Sequence, residues 1–192
     1  MKRPYNPDRH RRRSLRLKGY DYTQAGAYFV TVVVQEKLPL FGVVVDGKIQ
    51  LNAAGEMVQR IWGAMPNRFP SIVMNAFIAM PNHIHGVITV GAPLVGALVG
   101  ARSFKDETTT KVQLGDVVGA FKSLTTVEYV RGVRAEGWTP FHGRLWQRNF
   151  YEHIVRTDES LEKIHQYILD NPANWLHDRE NPRNNPIVQI PP

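Results

Sequence analysis

The order of secondary-structure signals predicts an α+β fold: a ferredoxin-like split β-α-β antiparallel sheet with helices on one face, followed by a C-terminal helix. Three observations lead there. Residues 28–35, 71–79 and 83–90 are apolar runs of strand length, rich in β-branched side chains. Helical spacing separates them, giving β, small hairpin, α, β, β, α, β, α. The chain has 192 residues, 43% hydrophobic and 21% charged, which is enough for one real core and excludes disorder of the whole chain.

Taken in order, residues 1–22 form a basic arm, and 23–176 hold the folded domain. The run 28–35 is a buried strand. Residues 41–45 and 49–51 flank Asp46-Gly47, a two-residue hairpin signal. Asn52 caps a helix running to about Phe69, with Met57, Ile61 and Met65 at four-residue spacing, and Pro66 cuts or kinks its end. Residues 71–79 are a strand, Met80-Pro81-Asn82 a turn, and 83–90 a third long strand. Residues 91–111 are a loop insertion with three glycines, one proline and a threonine run. Residues 114–130 are helical through Val117, Val118, Phe121, Leu124 and Val127. Residues 145–150 read as a short aromatic strand. Thr157 or Asp158 caps the last helix, which Pro172 ends. The tail 177–192 is rich in Pro and Asn and shows little core character.

The absence of cysteine excludes disulfides, zinc thiolates and a cysteine nucleophile. No apolar run reaches the roughly 18 residues needed to span a bilayer. The basic N-terminus lacks the apolar stretch of a secretory signal, so a cytoplasmic protein is expected. The net charge of +7 is concentrated: residues 1–18 carry eight basic side chains against Asp8, and the remaining 16 basic and 16 acidic residues cancel. A polyanion is the natural partner of such an arm, because each neutralised phosphate releases counterions. A solvated tail that aids solubility is the plainer alternative.

The chemistry concentrates at Met80-Pro81-Asn82-His83-Ile84-His85-Gly86. Side chains alternate along a strand, so His83 and His85 share a face, about 7 Å apart along the strand. Two imidazoles so placed are half of a divalent metal site. With seven histidines in the chain, the pair alone proves little. The apolar strands around it put it in mid-sheet, where polar residues need a reason. On the last helix Leu161, Ile164 and Ile168 form the buried stripe, and Tyr167 and Asn171, four apart, share its flank. Read alone, Tyr167 is as well explained as an amphipathic packing residue and Asn171 as a C-cap.

In this setting the sequence resembles the REP-associated tyrosine transposases, within the HUH single-tyrosine transposases that act on single-stranded DNA. The likeness covers roughly residues 10–176. It rests on Arg12-Arg13-Ser14 through Gly19-Tyr20-Asp21-Tyr22, the Met80–Gly86 motif, Phe121-Lys122-Ser123, Trp146-Gln147-Arg148-Asn149-Phe150-Tyr151-Glu152-His153, and Tyr167-Ile168 followed by Asn171-Pro172. The resemblance implies that His83, His85 and Asn171 hold one Mg²⁺ or Mn²⁺. It implies that Tyr167 attacks phosphorus, giving a 5′-phosphotyrosine link and a free 3′-hydroxyl. Single-stranded DNA with a hairpin or palindromic element is the implied partner, taken by a monomer or a homodimer.

Arg11, Arg12, Arg13, Arg16 and Lys18 of the arm are the expected DNA contacts. Arg148 and Lys122 join them, although Lys122 also reads as a solvated helix lysine. Tyr151, beside Glu152 and His153, competes with Tyr167 as nucleophile. Two other functions remain open on these residues: a non-catalytic DNA-binding protein on the same fold, and a metal-dependent phosphodiesterase that uses water.

Overall fold

A computed structural model describes residues 25–91 and 112–184. Its elements are β1 (Gly26–Val33), β2 (Gly42–Val45), β3 (Lys48–Leu51), α1 (Ala53–Arg68), β4 (Ile72–Met80), β5 (His83–Val90), α2 (Leu114–Glu136), β6 (Tyr151–Val155) and α3 (Asp158–Asp170). Short 3₁₀ turns occur at Gln35–Lys37, Trp175–His177 and Pro182–Asn184.

Four strands form one antiparallel sheet in the order β4-β5-β1-β6, the ferredoxin-like arrangement, and β2 and β3 form a separate hairpin. The alternation of β1 explains both faces. Tyr28, Val30 and Val32 point to the side of α1 and α2, where they join Ile84, Ile88, Trp62, Phe121, Tyr129 and Trp146 in the main core. Phe29 points the other way and packs with Val87 and Ile168 of α3, flanked by Leu161 and Ile164. The tyrosine-bearing helix therefore lies on the face opposite α1 and α2.

Local chemistry sets the ends. The Asn52 side chain accepts from Gly55 N–H at 2.9 Å and donates to the Leu40 carbonyl at 3.0 Å, capping α1 and tying it to the preceding chain. Pro66 does not cut α1, which runs on to Arg68 with the Phe69 N–H bonded to Met65. Helix α2 extends beyond the expected 130 to Glu136, where Gly137 takes a left-handed φ of 70°. Thr157 caps α3, accepting from Ser160 N–H at 3.1 Å.

The expected strand at 145–150 needs correction. That segment makes only one isolated bridge, Val34 to Trp146, and the fourth strand is β6, starting at Tyr151. The reason is competition for backbone groups. The Lys122 ammonium takes the carbonyls of Gln147, Arg148 and Asn149 at 2.9, 3.3 and 3.0 Å. The Trp146 indole is buried and donates to Thr125 at 2.8 Å. Aromatic content drew the strand too early; these residues fill the core and wall a groove.

The arm residues Arg11, Arg12, Arg13, Arg16 and Lys18 lie outside the described residues, as does most of the 91–111 insertion. The segment after α3 is more structured than its composition suggested. Asn181 is 3% exposed and donates to the Trp175 carbonyl at 2.8 Å. No described helix is long and apolar enough to cross a membrane.

Candidate metal and nucleophile site

Strand β5 is interior, between β4 and β1, and carries His83 and His85 on the α3 face. They are 0% and 4% exposed. Their Nε2 atoms stand 3.1 Å apart. Two donors at roughly 2.1 Å from one cation and at right angles to each other are about 3.0 Å apart, so the pair has the bite of an octahedral ligand set. The outer ring nitrogens are both engaged. His83 Nδ1 meets Asn82 Oδ1 at 2.8 Å, and His85 Nδ1 meets Thr31 Oγ1 at 2.8 Å. Thr31 pairs with His85 across the ladder. Its hydroxyl either donates or accepts, so it suits both neutral tautomers of His85.

Burial dominates the electrostatics of the pair. It drops both imidazoles to a pKa of about 3, with Lys37 adding to the fall at His83, and with His83 lowering and Asp178 raising the value at His85. Both rings are therefore neutral at pH 7, the form that binds metal.

Tyr167 arrives from α3. Its Oη lies 3.4 Å from His85 Nε2, and its ring stands 5.2 Å from the His85 ring and edge-on to Phe29 at 5.9 Å. Phe29 also stacks on His85 at 5.3 Å. Tyr167 is 49% exposed, so the phenol faces both the histidines and solvent. Burial raises its pKa first, and the Asp178 and Glu180 carboxylates raise it further, against a hydrogen bond from the Asn171 side chain that lowers it.

Asn171 is buried at 3% exposure, and its Oδ1 has no hydrogen-bond partner. An orphaned buried carbonyl oxygen lining the same groove is a fitting neutral ligand for a hard cation. Sequence reasoning missed Asp178. Its Oδ2 lies 3.8 Å from His83 Nε2, and His83, His85 and Asp178 offer ligand atoms all within 4.8 Å of one another. These three form a group that can hold a metal ion. The signal available was an acid six residues past Pro172 of the helix-ending Asn171-Pro172 turn, in a tail that otherwise looked like a loop.

A groove of about 680 Å³ opens beside this cluster, lined among others by Phe29, Gln147, Asn149, Phe150, Tyr151 and Asn174. Tyr151 borders it at 52% exposure, but Thr31 stands between it and His85 in the sheet. Arg148 is exposed. Lys122 spends its ammonium on the three carbonyls named above and lies 5.5 Å over the Phe150 ring, so it shapes the groove wall from behind. Burial lowers its pKa to about 8, while the carbonyls favour the charged form.

No protein-family model matches the chain. A protein of Haemophilus influenzae, described as uncharacterized, is 34% identical over 187 residues, covering 93% of this chain and 98% of that protein. Among solved structures, a REP-associated tyrosine transposase bound to a REP hairpin aligns with 83% of this chain and 74% of its own, at 20% identity and a TM-score of 0.50.

Proposed function

The chain belongs to one family with the Haemophilus influenzae protein and shares the fold of the REP-associated tyrosine transposase, and on this premise we propose that it is a DNA transposase using a tyrosine nucleophile. The observation that carries the reading is the 3.4 Å approach of the Tyr167 phenol to one member of a buried, neutral imidazole pair. His83 and His85 would hold Mg²⁺ or Mn²⁺, with the Asn171 oxygen and the Asp178 carboxylate as further ligands. When bound, the cation polarises the scissile phosphate and offsets the carboxylates that hold the phenol protonated.

The rest is the work of the chain. Phe29 packs against both reacting rings and fixes their relation. Half-exposure lets the phenol oxygen reach a strand laid along the groove. Attack of Tyr167 Oη on phosphorus forms the P–O bond to tyrosine and breaks the P–O3′ bond. The DNA 3′-hydroxyl leaves, and the 5′ side stays on the protein. The link retains the energy of the broken diester, so a later 3′-hydroxyl reverses the step without ATP. The side chains of Arg11, Arg12, Arg13, Arg16 and Lys18 would bind the phosphate backbone of hairpin-bearing single-stranded DNA.

The test is denaturing electrophoresis of labelled single-stranded hairpin DNAs incubated with the protein and Mn²⁺. A slow band that protease removes is expected. Cleavage without that band favours a water-using phosphodiesterase, and hairpin binding without cleavage favours a DNA-binding module.

A further inference from the structure

Asn82 precedes the histidine pair and is 0% exposed. Its amide joins two parts of the site. The Nδ2 group donates to the Lys37 carbonyl at 3.0 Å and to the Glu180 carbonyl at 2.8 Å. Both of its protons are thereby committed to carbonyls, which fixes the amide's orientation. Oδ1 is then the atom facing His83 Nδ1 at 2.8 Å, and it can only accept. His83 therefore carries its proton on Nδ1 and presents a lone pair on Nε2, the atom that faces His85 and Asp178.

Glu180 belongs to the segment 175–184, a strap that leaves the end of α3 and returns to the sheet. Lys37 adds two further ties, donating to the Arg179 carbonyl at 3.1 Å and pairing with the Glu180 carboxylate at 3.0 Å. Trp175, at the start of the strap, lies 5.9 Å from the His83 ring. Asp178 falls between these attachments, and so its carboxylate reaches His83.

We propose that Asn82 is a positioning residue of the metal centre: one amide sets which nitrogen of His83 is free and docks the strap that delivers Asp178. The inference rests on the divalent-metal reading above. It makes the site a joint product of two chain segments 98 residues apart rather than a property of the strand alone.

The experiment is calorimetric titration of the full chain with Mn²⁺, run on the wild type, Asn82→Ala, Asp178→Ala and the double variant. Loss of an outer-shell partner typically weakens metal binding about 10- to 100-fold, so Asn82→Ala should fall in that range, and Asp178→Ala, which removes a proposed ligand, should lose at least as much. The double variant should bind distinctly tighter than the product of the two losses, because the strap-borne part of the Asn82 loss is already gone without Asp178. Limited proteolysis without metal should cut Asn82→Ala within 175–184 faster than the wild type. Lys37→Met releases the strap without removing a hydrogen-bond partner of the His83 ring, though it also takes away a positive charge near it; its penalty should disappear in the Asp178→Ala background, and this cycle serves if Asn82→Ala does not fold. Wild-type Mn²⁺ affinity in Asn82→Ala or in Lys37→Met overturns the proposal, as do losses that multiply in full. No Mn²⁺ binding by the wild type overturns the metal reading and this inference together.

Discussion

On the face of the sheet covered by α1 and α2, β1 and β5 contribute Tyr28, Val30, Val32, Ile84 and Ile88 to a core of large apolar and aromatic side chains. On the opposite face the same strands contribute Phe29 and Val87, together with Thr31, His83 and His85. Among the described residues, three, Phe29, Val87 and Ile168, form the buried cluster there. One face is spent on stability, and the other leaves the end of α3 half exposed over a polar cluster. Within that cluster each imidazole is tied at Nδ1 to a neighbouring side chain, while the phenol is held by one long contact to His85, a hydrogen bond from the Asn171 side chain and two ring packings. On the proposed reading, imidazoles held in place beside a half-exposed phenol suit a residue that would carry DNA and then release it.

The contrast can be broken most sharply with Tyr167→Phe. The hydroxyl is partly solvated, so the melting temperature should hardly change, while strand cleavage and the protein–DNA adduct vanish; residual adduct would transfer the role to another residue. Next in size is His85→Ala. The wild type should gain about 2.7 kcal/mol of stability at Mn²⁺ one hundred times its dissociation constant, and the variant should gain none in a thermal melt.

The core face responds in the other sense. A methyl group at Gly86 would be driven into the Trp62 ring. Gly86→Ala should cost about 1–3 kcal/mol. At roughly 2–4 °C per kcal/mol for a chain of this size, scanning calorimetry resolves it, with Mn²⁺ stabilisation of the folded protein retained.

The most gradual effect is that of pH. His83 and His85 bind protons more weakly folded, at about 3, than unfolded, at 6.5. Between those values the unfolded chain holds more protons, so stability falls as pH drops from 6.5 toward 3. Urea titrations across that window should show the loss, and it should shrink in His85→Ala.

Much of this was legible in the sequence because it is local. Alternation on β5 puts His83 and His85 on one face, and the four-residue step from Tyr167 to Asn171 puts both on one flank of a helix. The Asn52 and Thr157 caps are equally local. The misses are long-range. Nothing near Gln147 announces that Lys122 will take its carbonyl and move the strand to Tyr151. Nothing near Asp178 announces the strap, because its ties run to Lys37 and Asn82, far back in the chain. Asn and Pro suit a tight, hydrogen-bonded turn as well as a loose tail.

The central claim is that the phenol of Tyr167 and the imidazole pair act on one phosphate. Trypsin separates the two candidate tyrosines: Tyr167 falls in the peptide 164–179 and Tyr151 in 149–156. Mass spectrometry of the Mn²⁺-dependent DNA adduct after digestion should find the nucleotide on the 164–179 peptide. A nucleotide on 149–156, or cleaved DNA with neither peptide modified, would contradict it.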